Sequence, residues 1–212
     1  MSKVDLQGLY AITDSVLMPT DQDLLSRVEA ALKGGTRIVQ YRDKSDDADK
    51  RLRQAKALVD LCQQFQVPLI INDDAKLAKD AGAAGVHLGQ SDGLLAEARI
   101  LLGPDAIIGI TCHDSLAFAR EGQRAGADYI AYGAFYASKT KPNASPAPLS
   151  LLAESKAQIK LPTVAIGGIT VDNAAQTLAA GADMLAVVHS LLAADDVELQ
   201  ASRFSQLFSS DS

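Results

Sequence analysis

Cysteine is scarce in this chain. Of 212 residues only Cys62 and Cys112 are cysteines, far apart and outside any Cys-x-x-Cys pair, which points to a reduced, cytoplasmic protein. Long apolar runs are also missing. None approaches the roughly 18 residues of a membrane span, and Met1–Leu6 has no basic stretch leading into an apolar one, so no membrane partner is expected. Basic charge is not in excess: 20 Lys and Arg face 26 Asp and Glu, a net charge of −6. That balance argues against nucleic acid as a partner. An anionic ligand would have to be held by a local cluster of bases or by a cation. The three histidines, His87, His113 and His189, lack the local spacing of a zinc site. Thr13-Asp14-Ser15, the turn after the first apolar run, contains no Gly-x-Gly-x-x-Gly, which counts against a dinucleotide fold.

What is present is a repeated unit. Gly34-Gly35-Thr36, Ala81-Gly82-Ala83, Ala125-Gly126-Ala127 and Ala180-Gly181-Ala182 each close a helical pattern and lead into an apolar strand. Glycine suits the left-handed position just past a helix because it has no Cβ to clash. Gly35, Gly82, Gly126 and Gly181 are 47, 44 and 55 residues apart, and each gap holds two strand–helix pairs, so the chain reads as about eight βα units. Strands are expected at Gly8–Ile12, Ile38–Arg42, Leu69–Asn72, Gly85–Leu88, Ile107–Thr111, Tyr129–Tyr132, Thr163–Ile166 and Met184–Val188. Helices are expected over Asp49–Phe65, Ala75–Ala81, Leu94–Leu102 and Ser115–Ala125. Alternation of this kind implies a single-domain (β/α)8 TIM barrel over residues 1–212, with a frayed tail at 209–212. A doubly wound open sheet is the alternative. Ser138–Pro148 reads as a mobile loop.

In such a barrel the chemistry sits where strands end and βα loops begin. Gln40, Arg42 and Lys44 are spaced by two and share one face of an extended segment, with Val39 and Tyr41 on the other. They form either a strand end frayed into solvent or an anion clamp, with Arg42 supplying a planar fork and Lys44 a point charge. Asp73 and Asp92 lie at the exits of consecutive strands. Each could cap a helix, but beside a basic clamp the pair favours Mg2+, which takes one or two protein carboxylates and fills its shell with water and phosphate oxygens. Asp74 reads as the cap of the following helix. Thr111 ends the fifth strand. Ser138, Lys139, Thr140 and Lys141 fit a lid closing over phosphates. Gly167-Gly168 after the seventh strand would let backbone N–H groups approach a phosphate. His87, inside a strand, reads as a packed residue, and His113 as a candidate contact. Cys112 has no activating partner in sequence. Lys50, Arg51, Arg53 and Lys56 are expected to face solvent from a long helix.

At these residues the chain resembles the thiamine-phosphate synthase family. The pieces are Val39-Gln40-Tyr41-Arg42-Asp43-Lys44, Ile71-Asn72-Asp73, His87-Leu88-Gly89-Gln90-Ser91-Asp92, the Gly133–Lys141 segment and Ile166-Gly167-Gly168-Ile169-Thr170, in the family's order. The resemblance implies a transferase joining a hydroxymethylpyrimidine diphosphate to a thiazole phosphate, with Mg2+ assisting departure of diphosphate and the thiazole nitrogen attacking. It implies Asp73 and Asp92 as metal ligands, and Arg42, Lys44, Lys141 and Thr111 as the residues meeting the leaving group. Gln40 and Asn72 join these in holding the pyrimidine diphosphate, with Tyr41, Asp43 and Lys139 also counted among the substrate-binding residues. Ser138 and Thr140 line the space between the diphosphate and the thiazole phosphate, which Gly168 and the backbone around Val188 and His189 would bind. Two positions depart from commoner forms: Thr111 stands where serine is frequent, and His189-Ser190 replaces a pair such as Ser-Ala.

Three rival readings share parts of this pattern. A thiazole tautomerase relative would not need the clamp, the aspartates and the Ser-Lys-Thr-Lys run together. A phosphosugar epimerase or isomerase barrel leaves a second anion site at Arg42, Lys44 and Lys141 unexplained. A non-catalytic thiazole- or thiamine-phosphate binding protein would keep the same residues. Neither oligomeric state nor a choice between Mg2+ and Mn2+ is written in these residues.

Overall fold

Strand and helix alternate throughout the computed structural model, which describes residues 5–90, 94–137 and 146–208. The strands are β1 (Gly8–Ile12), β2 (Ile38–Tyr41), β3 (Leu69–Asn72), β4 (Gly85–Leu88), β5 (Ile107–His113), β6 (Tyr129–Tyr132), β7 (Thr163–Ile166) and β8 (Met184–Val187). All pair in parallel with their sequence neighbours, and β1 pairs with β8, which closes the ring. The helices are α1 (Asp21–Lys33), α2 (Ala48–Gln64), α3 (Ala75–Ala81), α4 (Leu95–Leu102), α5 (Leu116–Ala125), α6 (Ser150–Gln158), α7 (Val171–Ala179), α8 (His189–Leu192) and α9 (Val197–Leu207). This is the (β/α)8 TIM barrel expected from the repeat.

Local chemistry sets the boundaries. Asp47, Asp74, Ser115 and Asp196 each cap a helix, the side chain accepting from the backbone N–H three residues on, which satisfies a donor the helix leaves unpaired. At the other end, Gly82 and Gly126 follow α3 and α5 in the left-handed conformation. β2 stops one residue earlier than expected because the Arg42 N–H turns to the Thr13 hydroxyl at 2.8 Å, away from the ladder. β5 runs two residues further, to His113, through a register shift between Thr111 and His113. β8 ends at Val187, one residue short of the expected end, and Val188 becomes the cap of α8.

Because successive strand residues point to opposite faces, each strand supplies two cores. Inside the ring lie Tyr10, Ile12, Ile38, Ile70, Tyr129, Val164 and Met184. Between ring and helices lie Leu9, Ala11, Val39, Tyr41, Ile71, Val86, Ile130 and Leu185, packed with helix residues such as Leu58 and Phe204. The inner face becomes polar toward the strand ends, where Gln40 and His87 are buried.

Candidate active site at the barrel mouth

Where the strands end, a cavity of about 670 Å3 opens into the barrel. Its wall includes Gln40, Arg42, Lys44, Asn72, Asp73, Thr111, Gly168, Val188 and His189, so the described side of the expected site converges. Asp92, Ser138, Lys139, Thr140 and Lys141 lie outside the described residues, as does most of the expected loop.

Asp73 is the pivot of this wall. It follows β3 with φ +63, at the centre of a turn closed by the Asp74 N–H on the Asn72 carbonyl at 2.9 Å. A non-glycine residue in this region carries strain, which the surroundings must hold. The Asp73 N–H donates to the His87 carbonyl of β4 at 2.8 Å. Its Oδ2 accepts from Asn72 Nδ2 at 2.6 Å and from the Lys44 ammonium. One acidic oxygen, one amide and one cation thus meet at the cavity wall. Among the described residues no three His, Cys, Asp or Glu gather to hold a metal. Asp73 nevertheless offers a hard oxygen of the kind Mg2+ takes, and that ion asks for only one or two carboxylates.

Arg42 and Lys44 are exposed, Arg42 anchored through its backbone to Thr13. Gly167 and Gly168 follow β7 with φ +100 and +65, and a Cβ on Gly168 would lie 2.6 Å from the Ala137 carbonyl oxygen. Backbone is therefore laid bare at this wall in a conformation side chains resist. Just beyond, Thr170 caps α7 in a reciprocal box with Asn173, and Asn173 Nδ2 donates to the Gly168 carbonyl at 2.9 Å. The turn is thereby held from below.

Two positions of the expected substrate set spend their side chains on protein partners. Tyr41 points outward into the helix layer, 3% exposed, and its hydroxyl donates to Gln54 Oε1 at 2.7 Å. The strand alternation that puts Gln40 inside requires this. Asp43 is buried beneath the β2–α2 loop, where Oδ2 meets Lys50 Nζ at 2.7 Å and Oδ1 accepts from the Ser45 N–H at 2.7 Å. Burial pushes the Asp43 carboxyl up, but the Lys50 ammonium and the Ser45 N–H outweigh it and bring it down to about 2. Asp43 thus braces the loop that presents Arg42 and Lys44.

The basic stretch of α2 also differs from expectation. Only Arg53 and Lys56 are exposed; Lys50 holds Asp43 and Arg51 holds Asp74 at 3.0 Å. Asp74 caps α3 as expected, accepting from the Leu77 N–H at 2.8 Å.

Tyr10, Thr13, His87 and His113 also line the cavity. Only His113 had a sequence signal, its place at a strand exit. His87 is packed, as expected, and faces the site as well. Burial lowers its imidazole to about 4, so it is neutral at ordinary pH. Burial pushes the Cys112 thiol up to about 12, which removes it as a nucleophile.

Residues 9–191 match the family described as thiamine monophosphate synthase. The chain belongs to that family. Two curated relatives called thiamine-phosphate synthase agree. The one from Saccharophagus degradans is 58% identical over 193 residues, covering 91% of this chain and 89% of the relative. The one from Thioalkalivibrio sulfidiphilus is 53% identical over 204 residues, covering 96% of each. A solved structure named as a thiamine phosphate pyrophosphorylase from Pyrococcus furiosus is 30% identical and superposes with a TM-score of 0.85, covering 97% of this chain and 96% of that one. In a (β/α)8 barrel the strand ends are where active sites are built, and the cavity at those ends is the candidate site of this thiamine monophosphate synthase family member.

Proposed function

We propose that this chain is a thiamine-phosphate synthase, coupling a hydroxymethylpyrimidine diphosphate to a thiazole phosphate with release of diphosphate. What supports the reading is one cavity whose wall includes both Arg42 and Lys44 after β2 and the Gly167-Gly168 backbone after β7, two kinds of surface suited to anions. Two anionic substrates brought to one mouth suit a joining reaction.

The pyrimidine diphosphate would lie along Gln40, Arg42, Lys44, Asn72 and Thr111, with Lys141 closing over it. The thiazole phosphate would rest on Gly168 and the backbone around Val188 and His189, with Ser138, Lys139 and Thr140 between the two. Asp73 and Asp92 would hold Mg2+, which when bound offsets negative charge growing on the diphosphate. Arg42 and Lys44 would act on the same charge as fixed cations. The C–O bond to diphosphate breaks with its electron pair leaving on oxygen, and the thiazole nitrogen lone pair forms the new C–N bond. Charge ends on the thiazolium ring. No proton has to be removed from the nucleophile, so a strong base is not required, and a neutral His87 and an inert Cys112 fit that chemistry. The apolar inner barrel and a closing loop would keep water from the pyrimidine methyl cation. Phosphorylated small-molecule substrates also fit a cytoplasmic enzyme, and no helix among the described residues is long and apolar enough to cross a membrane.

Purified protein supplied with both substrates and Mg2+ tests this by chromatography of thiamine phosphate and release of diphosphate. Both products should form together, and EDTA should abolish them. Absence of thiamine phosphate would overturn the coupling; full turnover without any divalent cation would overturn the metal assignment.

A further inference from the structure

Five strands contribute to one hydrogen-bonded chain beneath the mouth. Gln40 Nε2 on β2 donates to the Tyr10 hydroxyl on β1 at 2.8 Å. The Tyr10 and Tyr129 hydroxyls, on β1 and β6, lie 2.8 Å apart. The Tyr129 hydroxyl is 3.0 Å from His87 Nδ1 on β4, and His87 Nε2 is 2.9 Å from Thr111 Oγ1 on β5. Tyr10 and Tyr129 meet edge to face at 6.0 Å, and the imidazole stacks on the Tyr129 ring at 5.5 Å. Gly109 gives that ring its space, since a Cβ there would lie 2.0 Å from Tyr129 Cζ. Tyr10, Gln40, His87 and Thr111 line the cavity; Tyr129 stands behind them.

With one hydrogen spent at each link, the Gln40 donor sets the direction of the others. The Gln40 amide nitrogen can only donate, and Tyr10 accepts from it. The Tyr10 hydrogen then goes to the Tyr129 oxygen, and the Tyr129 hydrogen to His87 Nδ1. That nitrogen must be bare, so Nε2 carries the proton and donates to Thr111 Oγ1. Thr111 is left with its own O–H unspent and open to the cavity.

We propose that this chain runs one way, from the Gln40 amide to Thr111, and that Tyr10, Tyr129 and His87 are positioning residues that aim the Thr111 O–H at the departing diphosphate. The last step rests on the coupling reaction proposed above; the wiring does not. Run in reverse, the Thr111 hydrogen would be tied to His87 and only an acceptor would face an anion. A prearranged donor at developing negative charge lowers the barrier without reorganisation.

The test begins with long-range 1H–15N correlation of 15N-histidine protein, His87 being assigned among the three histidines by His87→Gln. The wild-type ring should show Nε2–H and a bare Nδ1, and Tyr129→Phe should shift the Nδ1 resonance by removing its donor. Tyr129→Phe should also lower kcat by roughly tenfold, as loss of an outer partner does, but cost nothing further in a Thr111→Val background. An Nδ1–H ring overturns the proposal, and so does a Tyr129→Phe penalty that is undiminished in that background. Should Tyr129→Phe not fold, the wild-type tautomer and the same cycle with Tyr10→Phe decide. An Nε2–H ring in a protein that forms no thiamine phosphate supports the wiring while overturning the coupling.

Discussion

Replacing Asp43 by asparagine should cost stability by weakening the brace to Lys50. The Asp43 side chain is 1% exposed and joined to Lys50 at 2.7 Å, with the Ser45 N–H as its second partner. Its ordinary value of 3.8 falls to about 2 in the fold. At 1.36 kcal/mol per pKa unit, that difference is about 2 kcal/mol. The Lys50 side chain is 24% exposed, so solvent screens part of the attraction and about 1–2 kcal/mol is expected. A lowered folded value means the carboxylate stabilises fully above its unfolded value and stops doing so as pH falls through the folded one. The Asp43→Asn penalty should therefore be complete at neutral pH and shrink below about pH 4. Urea unfolding of both proteins across that range measures it. An undiminished penalty in acid would refute the electrostatic reasoning. Unchanged stability with a weakened diphosphate substrate would return Asp43 to the ligand set.

Two further substitutions separate support from site. Tyr41→Phe removes the donor to buried Gln54 and should cost about 1–2 kcal/mol in urea unfolding, with KM for both substrates unchanged; a raised KM at full stability would place Tyr41 at the ligand. Asp74→Ala removes the cap of α3 and the partner of Arg51 and should cost about 1 kcal/mol or slightly more. Turnover at saturating Mg2+ should persist, and its loss would show that Asp74 does more than cap α3.

The barrel was legible because its signals are local. A glycine after each helix of the repeat, followed by an apolar run, marks the αβ turns, and β1, β3, β4, β6 and β7 begin and end where residue type alone places them. Alternation by two also separated Gln40, Arg42 and Lys44 from Tyr41 correctly. Family resemblance also put Tyr41 and Asp43 in the substrate set, and a motif marks positions without the direction of side chains, which here turn to Gln54 and Lys50. The hydrogen-bonded floor was invisible for a different reason. Its partners are 30, 119, 42 and 24 residues apart, and only closure of the ring brings them together. Asp43 with Lys50 and Asp74 with Arg51 were hidden likewise, since each pair joins a loop to a helix that reads as plainly amphipathic.

If one mouth holds two anions at two separate places, initial-rate kinetics on Lys44→Ala and Gly168→Ala will tell the two walls apart. A Cβ on Gly168 would press within 2.8 Å of Tyr136 backbone and side chain, so the bared amides must shift, and circular dichroism should confirm that the barrel persists. Lys44→Ala should raise KM for the pyrimidine diphosphate by roughly tenfold, the worth of one charge-assisted contact, and leave KM for the thiazole phosphate near its wild-type value. Gly168→Ala should do the reverse. If each variant weakens both substrates equally, the two walls do not divide the anions between them.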